Sequence, residues 1–140
     1  MQTWMIYAIL SMIFAGVTSI LAKYGLQNVS ADAGLGVRTF VIFVIIAAIT
    51  IIGQKYKEFV NLTSLQLTLL VLSGVTTTLS WLFYYRAMKE GLVSYVAVID
   101  KGSIVITLAL SFLLLKEPMS PKIIAGGLLV TAGLLVLVWK

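Results

Sequence analysis

Five apolar runs separated by short polar breaks organise the chain, at about Trp4 to Ala22, Leu35 to Ile52, Leu65 to Tyr85, Val93 to Leu115 and Ile123 to Trp139. Each lies in or near the range of about 17 to 25 residues that carries a helix across a bilayer. A lipid-embedded segment must satisfy its own backbone hydrogen bonds, and the pattern is not that of short alternating barrel strands, so all five runs are predicted to be helices. The breaks hold turn chemistry: Lys23 to Asp32 with Asn28 and Ser30, Gln54 to Thr63 with Lys55, Lys57 and Glu58, Arg86 to Leu92 with Lys89, Glu90 and Gly91, and Lys116 to Lys122 with Pro118 and Pro121. Connections this short make consecutive helices antiparallel neighbours. The first run lacks a basic leader and exceeds the roughly 7 to 15 apolar residues of a signal-peptide core, so it reads as a retained helix.

Composition agrees with lipid as the solvent. The chain is 61% hydrophobic and 11% charged, with a mean hydropathy of +1.09, against roughly 25% charged residues in ordinary soluble domains. Its 140 residues make one membrane domain, 1–140. Once lipid-facing surface is subtracted, a single copy has few side chains left to enclose a ligand, so association with a second copy is expected. The net charge of +5 is scattered in ones and twos between the apolar runs. It forms no basic patch, and nucleic-acid binding is not expected. With no Cys, no His and only five acids, the usual ligands of zinc, haem or iron–sulfur sites cannot be assembled, so no metal or cofactor is expected. An enzyme is a poor reading for the same reason, since no paired carboxylates stand at a useful spacing.

Orientation is nearly balanced. Cytoplasmic loops carry an excess of Lys and Arg, yet with five spans Lys55, Lys57, Lys116 and Lys122 fall on the side of the N-terminus and Lys23, Arg38, Arg86, Lys89 and Lys140 on the other, four against five. Either something other than charge sets the topology, or the chain inserts both ways and pairs antiparallel. The second is the expectation, because two inverted copies reproduce the inverted-repeat layout that many secondary transporters use for alternating access. Arg38 is the ambiguous member of the count, close enough to a helix end to snorkel.

Candidate chemistry centres on Asp100 and Lys101, the only charges in the run from Val93 to Leu115. An ionised group in that position costs about 2.5 to 3.5 kcal/mol on insertion scales, so such residues face a cavity or a partner and mark a transport path. At helical periodicity Asp100, Ser103, Thr107 and Ser111 share one stripe, and Gln66, Ser73, Thr77, Ser80 and Tyr84 share another on the third helix. Any single hydroxyl is more simply packing glue, but two aligned stripes, one holding an acid, outline a polar site between the third and fourth helices. Lys101 lies about a quarter turn away, over Leu108 and Phe112, positioned for an ion pair with Asp100, an acid of a second protomer, or a substrate anion. Trp81 and Tyr84 fall near the stripe and are candidates for stacking on an organic substrate, with an interfacial belt as the plainer role. Trp4, Tyr56, Tyr85 and Trp139 read as belt residues. Ser11, Ala15, Thr18 and Ala22 form a small-residue face on the first helix, a packing surface that can also leave room for a ligand. Gly126 and Gly133, seven residues apart on the fifth helix, make a candidate dimer seam.

The stretch FAGVTSILAKYGL at Phe14 to Leu26, Arg38 opening the second helix, the junction RAMKEGLVSYVAVI, the LKEP after the fourth helix and the Gly-rich last helix together resemble the drug/metabolite transporter superfamily, as a single EamA-type domain. Larger members resemble two such units in tandem with inverted orientation. The resemblance therefore implies an all-α integral membrane protein of five transmembrane helices, half of a ten-helix inverted-repeat transporter fold. It also implies an antiparallel homodimer in the cell membrane, with a prokaryotic plasma membrane the expected setting. Small multidrug resistance proteins are similar in logic, but they have four helices and an acid in the first. The first helix has no acid here, so their proton coupling does not carry over. Glu117 matches the family's acid at the end of the fourth helix, where a capping or loop role is implied. The functional expectation is an exporter of a small organic metabolite or drug-like compound, with Asp100 as a proton-coupling acid or counter-ion. The alternative is a non-transporting accessory subunit of a heteromeric membrane complex.

Overall fold

A computed structural model describes residues 2–118 and 120–139; Lys140, one of the charges in the orientation count, lies outside them. All regular structure among the described residues is helical: α1 Thr3–Gly25, α2 Ala31–Ile52, a 3-10 stretch Lys55–Asn61, α3 Ser64–Glu90, α4 Val93–Asp100, α5 Ser103–Leu114 and α6 Pro121–Val138. Four segments are long and apolar enough to cross a membrane, namely α1, α2, α3 and the run Val93–Leu115, and α6 adds a shorter apolar helix.

Helix ends fall where local chemistry puts them. The Ser30 hydroxyl accepts from the Ala33 amide at 3.2 Å, and Asp32 sits in the first turn of α2, so the amide-rich end is capped and meets a negative charge. Thr63 and Gln66 form a reciprocal box before α3, the Thr63 amide donating to Gln66 Oε1 at 2.9 Å and the Gln66 amide to Thr63 Oγ1 at 3.3 Å. Gln66, placed by periodicity on a polar stripe, is thereby used as a cap. Ser120 caps α6 with Pro121 at its first position, where a missing N–H costs nothing. The turn between α1 and α2 passes through Asn28 at φ 61°, a left-handed conformation that Asn tolerates.

The structure corrects one expectation of the sequence pattern: the fourth apolar run is two helices, with Lys101 and Gly102 in a turn between them. The amides of Lys101, Gly102, Ile104 and Val105 each reach back three residues, to Val98, Ile99, Lys101 and Gly102. This over-winds the backbone toward 3-10 geometry. Hydropathy cannot see such a break, because the residues around it stay apolar. The polar stripe drawn through Asp100 and Ser103 at uniform helical pitch is therefore interrupted, and only Ser103, Thr107 and Ser111 share one helix.

The chain forms two compact units, one ending at Glu90 and one beginning at Gly91. In the first, α3 packs against α1 and α2, and the buried residues Leu26, Leu35, Tyr85 and Met88 gather where α1 and α3 end and α2 begins. Polar contacts reinforce the same end. Lys23 donates to the Met88 carbonyl at 2.7 Å and Lys89 to the Leu26 carbonyl at 2.6 Å, each lysine meeting the carbonyl-rich terminus of the other's helix. Arg86 pairs with Asp32 at 3.3 Å. In the second unit α4 and α5 both pack on α6. A Cβ at Gly127 would lie 2.9 Å from Leu108 Cδ1, so glycine there is what lets α5 and α6 approach. No described residue of this unit is buried.

Candidate functional site

Each unit holds a place where charge meets an unusual backbone or a cavity. In the second unit the break between α4 and α5 carries the charged pair. Helix α4 has 8 residues and α5 has 12, about 12 and 18 Å of rise, so neither alone crosses a hydrocarbon core of about 30 Å. Asp100 ends α4 about 10.5 Å from its first residue at the helical rise, well inside the apolar run. Lys101 Nζ reaches back to Asp100 Oδ2 at 3.3 Å, with the two side chains 56% and 36% exposed. The pair is thus formed but not enclosed. Lys101 also occupies the C-cap of α4, placing its ammonium at the negative end of the helix. Gly102 completes the turn, where a Cβ would lie 2.9 Å from the Ile99 carbonyl and 3.6 Å from Leu134 of α6.

The other hydroxyls of this run are less committed to the break. Ser103 and Thr107 are exposed on α5, and Ser111 donates to the Leu108 carbonyl at 3.4 Å. Past the helix, Lys116 adopts φ 54° and the Glu117 amide bonds the Ser111 carbonyl at 3.3 Å, so Glu117 stands in the loop that ends α5.

In the first unit the hydroxyl stripe of α3 is turned largely to its own helix. Thr77 donates to the Ser73 carbonyl at 2.8 Å, and Ser73, Thr77 and Ser80 are exposed. Tyr84 shares a 2.8 Å hydrogen bond with Ser19 of α1, which makes it a tie between helices. Trp81 has a different neighbour: the Arg38 guanidinium lies 4.2 Å from its ring centroid and 5.5 Å from that of Tyr85. Trp81 and Tyr85 are one turn apart on α3, so they present two aromatic rings to one cation. Arg38 also lines a cavity of about 400 Å³ with Thr18 and Ala22 of α1, Leu26, Gly34 of α2 and Tyr85. The small-residue face of α1 thus leaves space at Thr18 and Ala22. The stacked arginine is the feature that the sequence pattern did not isolate. Its available signal is an intramembrane arginine together with a Trp and a Tyr four residues apart on the next helix.

The glycines proposed for a seam are open: nothing lies within 4 Å of a Cβ built at Gly126 or Gly133.

Residues 2–139 match the EamA-like transporter family. The chain belongs to that family. A Sinorhizobium protein named as an uncharacterized transporter in the cobO 3′ region is 35% identical over 136 residues, covering 97% of this chain and 96% of its own. An uncharacterized protein of Methanocaldococcus jannaschii is 28% identical over 137 residues, covering 98% and 97%. No solved structure matches the chain. This EamA-like chain is therefore a multi-pass membrane protein of a transporter family, and the match to each of these relatives spans nearly the whole of both chains.

Proposed function

We propose that this EamA-like chain is half of a secondary transporter that exports a small organic compound, with all five apolar runs crossing the membrane and two copies pairing in opposite orientations. The observation that carries the reading is the interruption of an apolar 23-residue span at Asp100 and Lys101. A stretch tightened to three-residue hydrogen bonds inside a longer apolar run is a common mark of a functional hinge, and discontinuous helices are where transporters bind substrates and coupling ions. Asp100 is the group placed to exchange Lys101 for a cation or a proton. Ser103 and Thr107 follow on α5 with hydroxyls available to a polar substrate. The near balance of Lys and Arg between the two faces favours insertion both ways, and a match to relatives that spans nearly the whole of both chains fits a fold completed by a second copy.

Two measurements test this. Purified protein in liposomes should show saturable flux of a cationic dye such as ethidium, reduced at least ~10-fold by Asp100→Asn if an intramembrane charge is in the path. Single cysteines placed in the Gln54 to Thr63 and Arg86 to Gly91 loops, in a chain with none of its own, should each be labelled by an impermeant reagent from both faces of the membrane. Strictly one-sided labelling would remove the dual topology. Flux that appears only after another membrane protein is added would favour the accessory-subunit reading.

A further inference from the structure

We infer that Arg38, held on the rings of Trp81 and Tyr85 at the wall of the first unit's cavity, is a binding site for the carboxylate of an organic anion with an apolar body. A positive charge inside a span is costly. It therefore needs an anion. Among the described residues Arg38 makes no hydrogen bond and no ion pair, and the acid of its own helix, Asp32, is taken by Arg86 at 3.3 Å. Snorkelling does not account for its position. Trp81 lies five residues inward of Arg86 on α3, about 7.5 Å deeper at the helical rise, and the guanidinium rests 4.2 Å from the Trp81 centroid.

The rings lie 4.2 and 5.5 Å from the guanidinium carbon and take no hydrogen bond from it, so its N–H groups remain for the fork that a carboxylate engages through two parallel hydrogen bonds. The cavity beside it is about 400 Å³ and, apart from Arg38, Thr18 and the phenol of Tyr85, is walled by apolar side chains and glycine. Such a space suits a ligand with one anionic end and an apolar or aromatic remainder. A bare inorganic anion would leave that wall unused. The biological use of the site, as a place where cargo is held, rests on the transporter reading above.

The test uses the full chain in phosphatidylcholine nanodiscs with Trp4→Phe and Trp139→Phe, which leaves Trp81 as the reporter. Phenylacetate should shift Trp81 emission saturably, whereas phenylacetamide and phenethylamine should not. Arg38→Gln should weaken phenylacetate at least ~10-fold, and Arg38→Lys, which keeps the charge but loses the fork, should fall between them. Circular dichroism and gel filtration would confirm that each variant is folded. Equal shifts by the amide and the acid, or unchanged affinity in folded Arg38→Gln, would overturn the site. Displacement of phenylacetate by a few per cent phosphatidylglycerol would overturn the assignment to cargo in favour of a lipid headgroup. Because binding is read without flux, absent binding alongside Asp100-dependent flux removes this inference alone, and binding with no flux of either ethidium or phenylacetate removes the transporter reading alone.

Discussion

At Gly34, on the wall of the first unit's cavity, the helix surface meets Leu26 with no room for a side chain. A Cβ there would come 2.6 Å from Leu26 Cδ2, so Leu26, only 2% exposed, must leave its packed position, and the space open to it is the cavity that it lines. Gly34→Ala should destabilise the protein by about 1 to 3 kcal/mol, the usual cost of overpacking. Shortening the opposing side chain should return part of that loss, so Gly34→Ala with Leu26→Ala should be less harmful than the two single effects added. Thermal unfolding midpoints in detergent check this, and strict additivity would mean that the two residues do not oppose each other. The same scale shows what the sequence could and could not yield. Asp100 and Lys101 were legible because charge inside an apolar run is rare and expensive. Tyr84 was legible only as a polar-stripe member, and its bond to Ser19 needed to know which face of α3 meets α1. Arg38 was legible as a charge but not as a stacked one, since that depends on α2 and α3 lying side by side.

Between elements, the first unit is tied at one end by contacts that cross from helix to helix. Lys23 and Lys89 exchange places over each other's carbonyl termini, Asp32 and Arg86 join α2 to α3, and Tyr84 joins α3 to α1. The five runs and their order were legible because lipid enforces long apolar helices. Their ends shifted outward, with α3 running to Glu90, because Arg86 to Glu90 are good helix formers and hydropathy marks only the apolar part of a helix. The break at Lys101 and Gly102 escaped the apolar pattern altogether. It is held by hydrogen bonds of three-residue reach, and the Cβ that glycine lacks would meet the Ile99 carbonyl at 2.9 Å. Gly102→Ala must therefore open that turn. Under the transporter reading it should lower flux by roughly 10-fold or more, as small misplacements at a site do. Emission of the Trp81 reporter, which belongs to the first unit, should stay unchanged. Wild-type flux in Gly102→Ala would show that the tight turn has no part in transport.

For the whole molecule, the proposed pairing makes a geometric demand on α6. Gly126 and Gly133 lie five residues from the two ends of the helix Pro121–Val138, equally far from its midpoint, and seven residues apart puts both on one face. If two copies cross antiparallel at that midpoint, the two-fold axis brings Gly126 of one copy opposite Gly133 of the other. Copies crossing parallel would instead set like against like. The distance between the two glycines along one helix is about 10.5 Å at the helical rise, while a disulfide needs Cα atoms about 4.4 to 6.8 Å apart. The two arrangements therefore give opposite cross-linking patterns. Gly126→Cys and Gly133→Cys chains carrying tags of different size, oxidised in native membranes, should form a mixed dimer when expressed together and little dimer when expressed alone. The open space around both positions in the single chain leaves room for this approach, because small residues let membrane helices come close. Like-with-like dimers would mean a parallel pair and would remove the inverted-repeat architecture, even if the charged break in the fourth run still carries substrate.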